Sequence, residues 1–305
     1  MSRQLDHLIL AAQDLDKLGA LFEALGFTVG VQNRHDWGTI NRIVQIGPSF
    51  LELLSVEDGF ARPPETAPEA PFAVFLADYL ARHEGTAALV VAGENSVNDR
   101  ARWLSLGLDS PGILNFGRTG TQPDGTTVEL AFSLAFARSK HLPNTLFFSC
   151  HDRYPEYFWS DAMKGHANAV TRIESVSLVS KARSDAKRFL ATFLGDKAPL
   201  LGTHMHSYTA GLSRVDVMAP ETAARLYDGL LNGPAPTDDG IVAIHFACSD
   251  LAAARTWIEK AGVSVETHDG ALHVPAGDAF GTVLVFAEDE MAADAPAKSD
   301  EVPTA

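Results

Sequence analysis

A unit of one strand, one helix and three further strands recurs along this chain, and this repeat constrains the fold more than any other feature. In the first unit, LDHLILAA has strand character, Asp14 can cap a helix with an apolar face, and Gly26 can end that helix. FTVGVQ, NRIVQIG and SFLELLSV then have the pattern of three strands. A unit of this kind cannot cover its own apolar face, so it must pair with a neighbour.

Three more units follow in the same order. The second starts at AALVVAG, and its helix is predicted to end at Gly107, 81 positions after Gly26. The third starts at RIESVSLVS and the fourth at IVAIHFACSDL. Four units predict an α+β protein of two paired domains, residues 1–165 and residues 166–288. Residues 289–305 are acidic, rich in Ala and Pro and poor in large apolar side chains, which predicts a disordered tail.

Charge and composition exclude several classes of protein. With a formal net charge of -15 and no cluster of Lys and Arg, the chain is not expected to bind nucleic acid. No run approaches the ~18 apolar residues of a membrane span, and the N-terminus lacks the features of a signal peptide. We therefore expect a soluble cytoplasmic protein that acts on a small molecule. Paired units can close a cup within one chain, so the repeat allows a homodimer but does not require one.

Three titratable residues lie in apolar runs with strand character: His7 in LDHLIL, Glu52 in SFLELLSV and His151 in FFSCHDR. A charged side chain in such a run is costly unless it has a partner. Two imidazoles and one carboxylate form the facial triad that holds a divalent metal with coordination positions left open, as a catalytic metal requires. The three residues are therefore predicted to be metal ligands. The structural alternatives are a backbone-bonded histidine for His7, a salt bridge to Arg42 for Glu52, and a turn cap for His151.

The repeat resembles the vicinal oxygen chelate superfamily, and the run HDWGTINRIVQIGPSFLELL resembles its glyoxalase-like branch. DHL near the start and LEL on a fourth strand carry the resemblance, which is best over about residues 5–180. The resemblance implies that each domain is a cup-shaped curved sheet. It also implies a divalent metal, such as iron, manganese, nickel or zinc, at the bottom of the cup, bound to two neighbouring oxygens of a substrate.

The resemblance further implies metal ligands on the first and fourth strands of each unit. His7 and Glu52 match these positions in the first unit. In the second unit the first-strand position is Ala88, and the fourth strand carries His151 where a Glu is usual. One ligand of four is therefore absent and three remain. The second domain has no histidine at either first-strand position, so we expect it to be structural or to help to cover the site.

Further polar residues are predicted to lie near the cup. The base that the reaction needs could be metal-bound hydroxide, Glu52 if it leaves the ion, or a histidine at the mouth, His166 or His35. His166 belongs to GHANAV, which could fold over the cup or form a surface linker. Asn41 could instead organise a turn. The residues predicted to contact the substrate are His35, Thr39, Asn41 and Asn168.

These features favour a metal-dependent glyoxalase-like enzyme with isomerase or lyase chemistry through a chelated enolate. One alternative is an extradiol-type ring-cleaving dioxygenase with non-haem Fe(II), although such enzymes are expected to carry iron in the C-terminal domain, where this chain lacks the ligands. Another is a non-catalytic protein that binds or sequesters a small molecule, which the loss of a ligand at Ala88 would permit.

Overall fold

The computed structural model describes residues 2–121, 126–232 and 239–293, and within them the chain forms two mixed sheets of eight strands each. The strands of the first sheet are β1 (Leu5–Ala11), β2 (Asn33–Arg34), β3 (Thr39–Ile46), β4 (Ser49–Val56), β5 (Gly85–Ala92), β6 (Ile113–Thr121), β7 (Thr127–Ala137) and β8 (Leu146–Asp152). Those of the second are β9 (Val170–Ser180), β10 (Leu200–Leu201), β11 (Met205–Ala210), β12 (Ser213–Met218), β13 (Asp239–Cys248), β14 (Glu266–His268), β15 (Ala271–Val274) and β16 (Val283–Glu288). The predicted α+β class, with two cup-shaped sheets made of paired units, is confirmed.

The helices are α1 (Leu15–Ala24), α2 (Ala70–Leu80), α3 (Ser96–Ser105), α4 (Pro155–Phe158), α5 (Asp161–Lys164), α6 (Arg183–Leu194), α7 (Pro220–Leu226), α8 (Leu251–Ala261) and α9 (Glu290–Ala293), with a 3-10 turn at Ala276–Asp278. Asp14 caps α1 by accepting from the backbone N–H of Lys17 at 3.0 Å. Asn95 caps α3 in the same way. After these helices Gly26 and Gly107 have φ of 84° and 82°, a left-handed conformation that favours glycine.

Each sheet is symmetric about its central pair of strands. The strand orders are β2-β3-β4-β1-β5-β8-β7-β6 and β10-β11-β12-β9-β13-β16-β15-β14. In the first sheet β1 and β5 run antiparallel with Leu8 opposite Leu89, which repeats the 81-residue offset between Gly26 and Gly107. The outer neighbours β4 and β8 pair in parallel with β1 and β5. Positions in the two units can therefore be compared directly, and Ala88 is the equivalent of His7.

One hydrophobic cluster joins the two sheets. It contains Leu8 and Leu89 of the first sheet, Val176 and Ile244 of the second, and buried side chains of α1, α3, α6 and α8. The inner faces form two separate hydrophobic clusters. One includes side chains of α2, and the other includes side chains of α7 and of the residues just after it. Each sheet therefore buries one face against the other sheet and its helices and keeps the opposite face for its own cup.

The segment between β8 and β9 lies against the inner face of the first sheet. Gln45 holds it by donating from Nε2 to the Phe158 carbonyl at 2.7 Å and accepting from the Ser160 N–H at 2.9 Å. The predicted domain division at 165/166 falls in this segment and stays a prediction. No helix in the described part of the chain is long and apolar enough to span a membrane.

The start of the predicted tail is ordered, which corrects that prediction for residues 289–293. Asp289 is 9% exposed and accepts hydrogen bonds from Thr171 Oγ1 at 2.7 Å and Arg172 at 3.0 Å, after which α9 continues to Ala293. These bonds fix the end of β16 to β9. Residues 294–305 lie outside the described residues.

Candidate functional site

A cavity opens on the inner face of the first sheet, between the sheet, α2 and the segment after β8. Its empty volume is about 500 Å³, including the open mouth. The wall is mostly aromatic: Trp37, Phe50, Phe72, Phe116, Phe132, Phe148 and Phe158. The side chains with ionisable or amide groups that line it are His7, His35, Asn41, Glu52, Arg118 and Cys150. A concave, mostly apolar site with a few converging polar groups is the usual form of a small-molecule site.

His7 lies on β1 at the bottom of this cavity and is 4% exposed. Its Nδ1 is 2.6 Å from Oδ2 of Asp6. A carboxylate can only accept, so Nδ1 carries the shared proton and the neutral ring keeps its lone pair on Nε2. That Nε2 is 3.7 Å from Oε2 of Glu52, too long for a hydrogen bond. Phe50 stacks on the imidazole at 4.3 Å and holds the ring plane.

Glu52 lies on β4 and is 6% exposed. Strand alternation directs it into the cup, while its flanking leucines join the cluster between the sheets. Asn41 on β3 donates from Nδ2 to Oε1 of Glu52, which leaves Oε2 on the side of His7. Arg42, the alternative partner for this carboxylate, pairs with Asp16 instead. The buried Oδ1 of Asn41 has no hydrogen-bond partner among the described residues.

His35 and Trp37 come from the loop between β2 and β3 and form one side of the cavity. Their rings stack at 4.6 Å, and His35 Nδ1 is 2.8 Å from Thr39 Oγ1. Burial lowers the pKa of His35, the Glu52 carboxylate opposes this shift and Arg118 adds to it, so the ring is neutral at neutral pH. Thr39 is fully buried and positions His35 without lining the cavity.

Arg118 lies on the inner face of β6, two residues after Phe116 and opposite Leu130 of β7. It lines the same cavity as Glu52. Burial lowers the pKa of its guanidinium, and the Glu52 carboxylate opposes that shift. Since an arginine pKa is far above neutral, the group stays charged. The cavity therefore contains one cation and one carboxylate as well as the His7 imidazole.

The structure does not bring His151 to His7 and Glu52, and the predicted triad is corrected at this residue. Alternation along β8 directs Phe148 and Cys150 into the cavity, whereas His151 lies on the other face, in a hollow beside the start of α3. Glu52 pairs with Ile9 of β1, and the symmetry of the sheet makes Val90 of β5 the equivalent of Ile9. Phe148 pairs with Val90, so Phe148 is the equivalent of Glu52. The fourth-strand ligand position of the second unit is therefore occupied by Phe148.

His166 and Asn168 are also corrected, since neither lines the cavity. His166 Nδ1 accepts from the Thr28 N–H at 3.0 Å, and its Nε2 bonds the Gln45 carbonyl at 2.8 Å. Asn168 is fully buried and donates from Nδ2 to the Leu25 carbonyl at 2.8 Å. Because both of its ring nitrogens are hydrogen-bonded, His166 cannot act as a base. His166 and Asn168 attach the segment between β8 and β9 to the residues that follow α1.

The second cup has no pair like His7 and Glu52. The equivalent positions on β9 and β12 are Ser175 and Asp216, and Asp216 pairs with Arg214 at 2.8 Å. In the fourth unit the equivalent positions are Ala243 and Val285. The inner face is instead covered by α7 and by buried side chains that follow it, which gives this cup a structural core.

The donors in the first cup do not fit the metal centre that the resemblance implies. His7 and Glu52 supply two donors, whereas the equivalent positions of the second unit, Ala88 and Phe148, supply none. Across residues 2–121, 126–232 and 239–293 no group of three or more His, Cys, Asp or Glu side chains could hold a metal ion. A catalytic divalent metal usually has three protein ligands.

Sequence reasoning missed three contributors to the cavity. Asp6 directly precedes His7, and the pair DH was a usable signal for an oriented imidazole. Arg118 ends an alternating series with Leu114 and Phe116, a period-2 pattern that places all three on one face. Phe158 gave no sequence signal, because its place in the wall depends on how the segment after β8 folds back.

Comparison with known proteins places the first sheet in a family. A family model described as "Glyoxalase-like domain" matches residues 5–194. No curated protein sequence matches. The matched range covers the whole first sheet and continues through α6.

Solved structures share the fold along nearly the whole chain. A hypothetical protein from Staphylococcus aureus has a TM-score of 0.64 at 13% identity, covering 94% of this chain and 99% of its own. A xylose isomerase-like TIM barrel/4-hydroxyphenylpyruvate dioxygenase fusion protein has a TM-score of 0.54 at 12% identity, covering 94% of this chain and 49% of its own. A triple mutant of 4-hydroxymandelate synthase from Streptomyces coelicolor has a TM-score of 0.51 at 14% identity, covering 93% and 92%. At these identities the likeness concerns the fold alone. The chain therefore belongs to the glyoxalase-like domain family of the vicinal oxygen chelate superfamily.

Proposed function

We propose that the first cup binds a small, flat, largely apolar molecule that bears oxygen, and that His7 and Glu52 move a proton on it. The observation that carries this proposal is a pair of buried acceptors, Nε2 of His7 and Oε2 of Glu52, 3.7 Å apart. Neither atom has a hydrogen-bond partner among the described residues. A ligand hydroxyl, or an acidic C–H beside a carbonyl, is the kind of group that such a pair accepts from.

The surrounding residues suit a proton transfer of the isomerase or lyase type. His7 Nε2 accepts the proton from the substrate, and the carboxylates of Asp6 and Glu52 stabilise the imidazolium that forms. The negative charge left on the substrate oxygen needs a donor, and the buried Trp37 Nε1–H has no partner among the described residues. In an isomerisation His7 then returns the proton to a different atom of the substrate; in a lyase reaction the electron pair of the broken C–H bond forms a double bond, the leaving group departs with the electrons of its own bond, and His7 gives the proton to that group.

A second candidate is binding without chemistry. It is favoured by the apolar side chains at the ligand positions of the second unit, Ala88 and Phe148, which make half of the cup floor chemically inert. A protein that only sequesters an aromatic molecule needs the aromatic wall but not an oriented imidazole. The Asp6–His7 pair, with its contact of 2.6 Å, favours the enzyme over this candidate.

Deuterium exchange tests the proposal without knowledge of the natural substrate. The probe is 2-tetralone, a flat aromatic ketone with acidic hydrogens beside its carbonyl, incubated with EDTA-treated protein in D2O and followed by proton NMR. We expect exchange above the buffer rate, lost in His7→Ala and Glu52→Gln and retained in His151→Ala, whose side chain lies on the other face. Saturable binding without exchange would favour the sequestering protein, and exchange that requires an added metal would contradict the proposed chemistry.

A further inference from the structure

Among the described residues, Arg118 is the one arginine or lysine in the wall of the first cup, whose other ionisable or amide groups are His7, His35, Asn41, Glu52 and the Cys150 thiol. No hydrogen bond or ion pair to it is formed by residues 2–121, 126–232 or 239–293. Several other arginines of the first sheet and its connections have acidic partners, among them Arg3 with Asp99, and Arg62 with Asp78 at 2.6 Å. Arg100 of α3 is also partly buried and has an unpartnered Nε, but of these two arginines Arg118 alone lines the cavity.

A partly buried guanidinium without a partner is costly, because it loses hydration and gains no compensating bond. The nearest opposite charge in the cavity is Glu52, which attracts Arg118 without forming an ion pair with it. The carboxylate of Glu52 is already engaged by Asn41 and faces His7. An external anion is the partner that would satisfy Arg118 without disturbing this arrangement.

We propose that the ligand of the first cup is a small aromatic anion, with its carboxylate bound by Arg118 and its proton-donating oxygen or carbon at His7 and Glu52. This inference rests on the proposed function, because it names the ligand class of the same cup. The two polar ends of the cavity have opposite charge, so they orient such a molecule in one direction. Repulsion by Glu52 keeps the carboxylate away from His7, and the aromatic body lies against the aromatic wall, where Phe116 and Phe132 stack on each other with their ring centroids 5.2 Å apart.

The guanidinium also matches this anion in shape. Its planar fork can donate two parallel N–H bonds to one carboxylate, which a lysine cannot do. Arg118 is held by the regular β6–β7 ladder, in which Phe116 pairs with Phe132 and Arg118 with Leu130. The base of the side chain is therefore fixed to the same rigid sheet that carries His7 and Glu52.

Titration calorimetry with matched probes tests the inference. The probes are 4-hydroxybenzoate and 6-hydroxy-2-naphthoate, each measured beside its neutral amide at pH 7. We expect at least one carboxylate to bind about 10- to 100-fold more tightly than its amide, the range of a charged hydrogen bond. Arg118→Gln should remove this preference while it leaves amide binding unchanged. Arg118→Lys should restore part of it, because it keeps the charge but not the fork.

The control variant is Arg102→Gln, which removes an exposed arginine of α3 on the far side of the sheet. It should leave both affinities unchanged, so that a general effect of net charge is excluded. Equal binding of carboxylate and amide, with no effect of Arg118→Gln, would overturn the inference and leave the proposed function intact. Binding of none of the four probes by the folded wild-type protein would instead contradict the proposed function.

Discussion

His7 shows how neighbours determine what a residue can do. The same imidazole in an apolar strand could be a metal ligand, a core residue bonded to a carbonyl, or a base. Asp6 at Nδ1 and Glu52 opposite Nε2 select the base, because the first fixes the tautomer and the second stabilises the protonated ring. The chemistry of the site is therefore decided by the two carboxylates that face the ring nitrogens of His7.

Asp6→Asn tests the role of the residue that orients His7. An amide can donate to Nδ1 as well as accept from it, so the variant loses the preference for a lone pair on Nε2. We expect proton exchange to fall about 100-fold, the usual effect of a well-placed base, while the melting temperature changes little. The measurement is the exchange rate of 2-tetralone, with the exposed Asp109→Asn as control. Unchanged exchange in Asp6→Asn would show that His7 needs no orienting carboxylate.

His245 in the second cup predicts a pH dependence of stability. Burial lowers its pKa from 6.5 to about 4, and the nearby His273 and Arg214 charges add to the shift. Between these pH values the unfolded chain binds more protons than the folded one, so the free energy of unfolding falls as pH decreases from 6.5 to 4. The full effect is about 3 kcal/mol, since one pKa unit corresponds to about 1.4 kcal/mol.

Urea unfolding at pH 7 and pH 4.5 measures this contribution. The His245→Gln variant keeps a polar group beside Tyr227, which lies 2.8 Å from Nε2, but has no proton to gain. It should lose less stability than wild type on acidification. An equal loss in the two proteins would mean that other groups cause the acid sensitivity.

For several strands the sequence does not show which side chains face the cup and which face the other side of the sheet, and this was the main limit on predicting the site. For Glu52 the flanking leucines fix which face is buried between the sheets, so its inward direction could be predicted. FFSCHDR has apolar residues at adjacent positions and gives no alternation, so His151 could be assigned to either face. The contacts of Phe158 depend on how the segment after β8 folds back, and no local pattern determines them.

At the scale of elements, the repeat predicts more than single residues do. Helix caps at Asp14 and Asn95, stops at Gly26 and Gly107, and the 81-residue offset all recur in the structure. The offset also identifies Ala88 as the equivalent of His7, because the spacing of the two helix-ending glycines agrees with the pairing of β1 with β5. The equivalent of Glu52 needed the parallel β5–β8 register, which the sequence does not contain.

The symmetry of the two units predicts how a metal site could be built. Phe148→Glu places a carboxylate at the position equivalent to Glu52, close to His7, whose ring centroid is 5.6 Å from that of Phe148. Three donors, on β1, β4 and β8, should then bind Co²⁺, which raises the melting temperature of the variant. Calorimetric Co²⁺ titration is the measurement, with Phe148→Leu as the matched control. Equally tight Co²⁺ binding by wild type would contradict the two-donor description of the cup.

At the scale of the whole molecule, the two sheets act as one support for the first cup. The central strands of both contribute to one hydrophobic cluster, and a buried polar contact crosses between them. Thr282 Oγ1 accepts from the Thr86 N–H at 2.9 Å and lies 2.9 Å from Thr86 Oγ1. Thr86 precedes Ala88 on β5, so this contact ties the second sheet to the strand next to His7.

A pair of substitutions measures the contact. Thr282→Val leaves the buried Thr86 N–H without an acceptor, which should cost about 1–3 kcal/mol of unfolding free energy. Thr86→Val keeps that backbone bond and should cost less. Both values come from urea unfolding of the full chain. If the two variants were equally stable, the backbone N–H would not depend on Thr282.

The tautomer of His7 in the free and ligand-bound protein tests the central claim most directly. Long-range ¹H–¹⁵N spectra of histidine-labelled protein report it, and comparison with His7→Ala assigns the signals. We predict that the neutral form of the ring carries its proton on Nδ1, unchanged by EDTA, and that the Nε2 signal shifts when 6-hydroxy-2-naphthoate binds. A proton on Nε2, or an Nε2 signal that responds to EDTA and not to the ligand, would contradict a metal-independent base at the bottom of the cup.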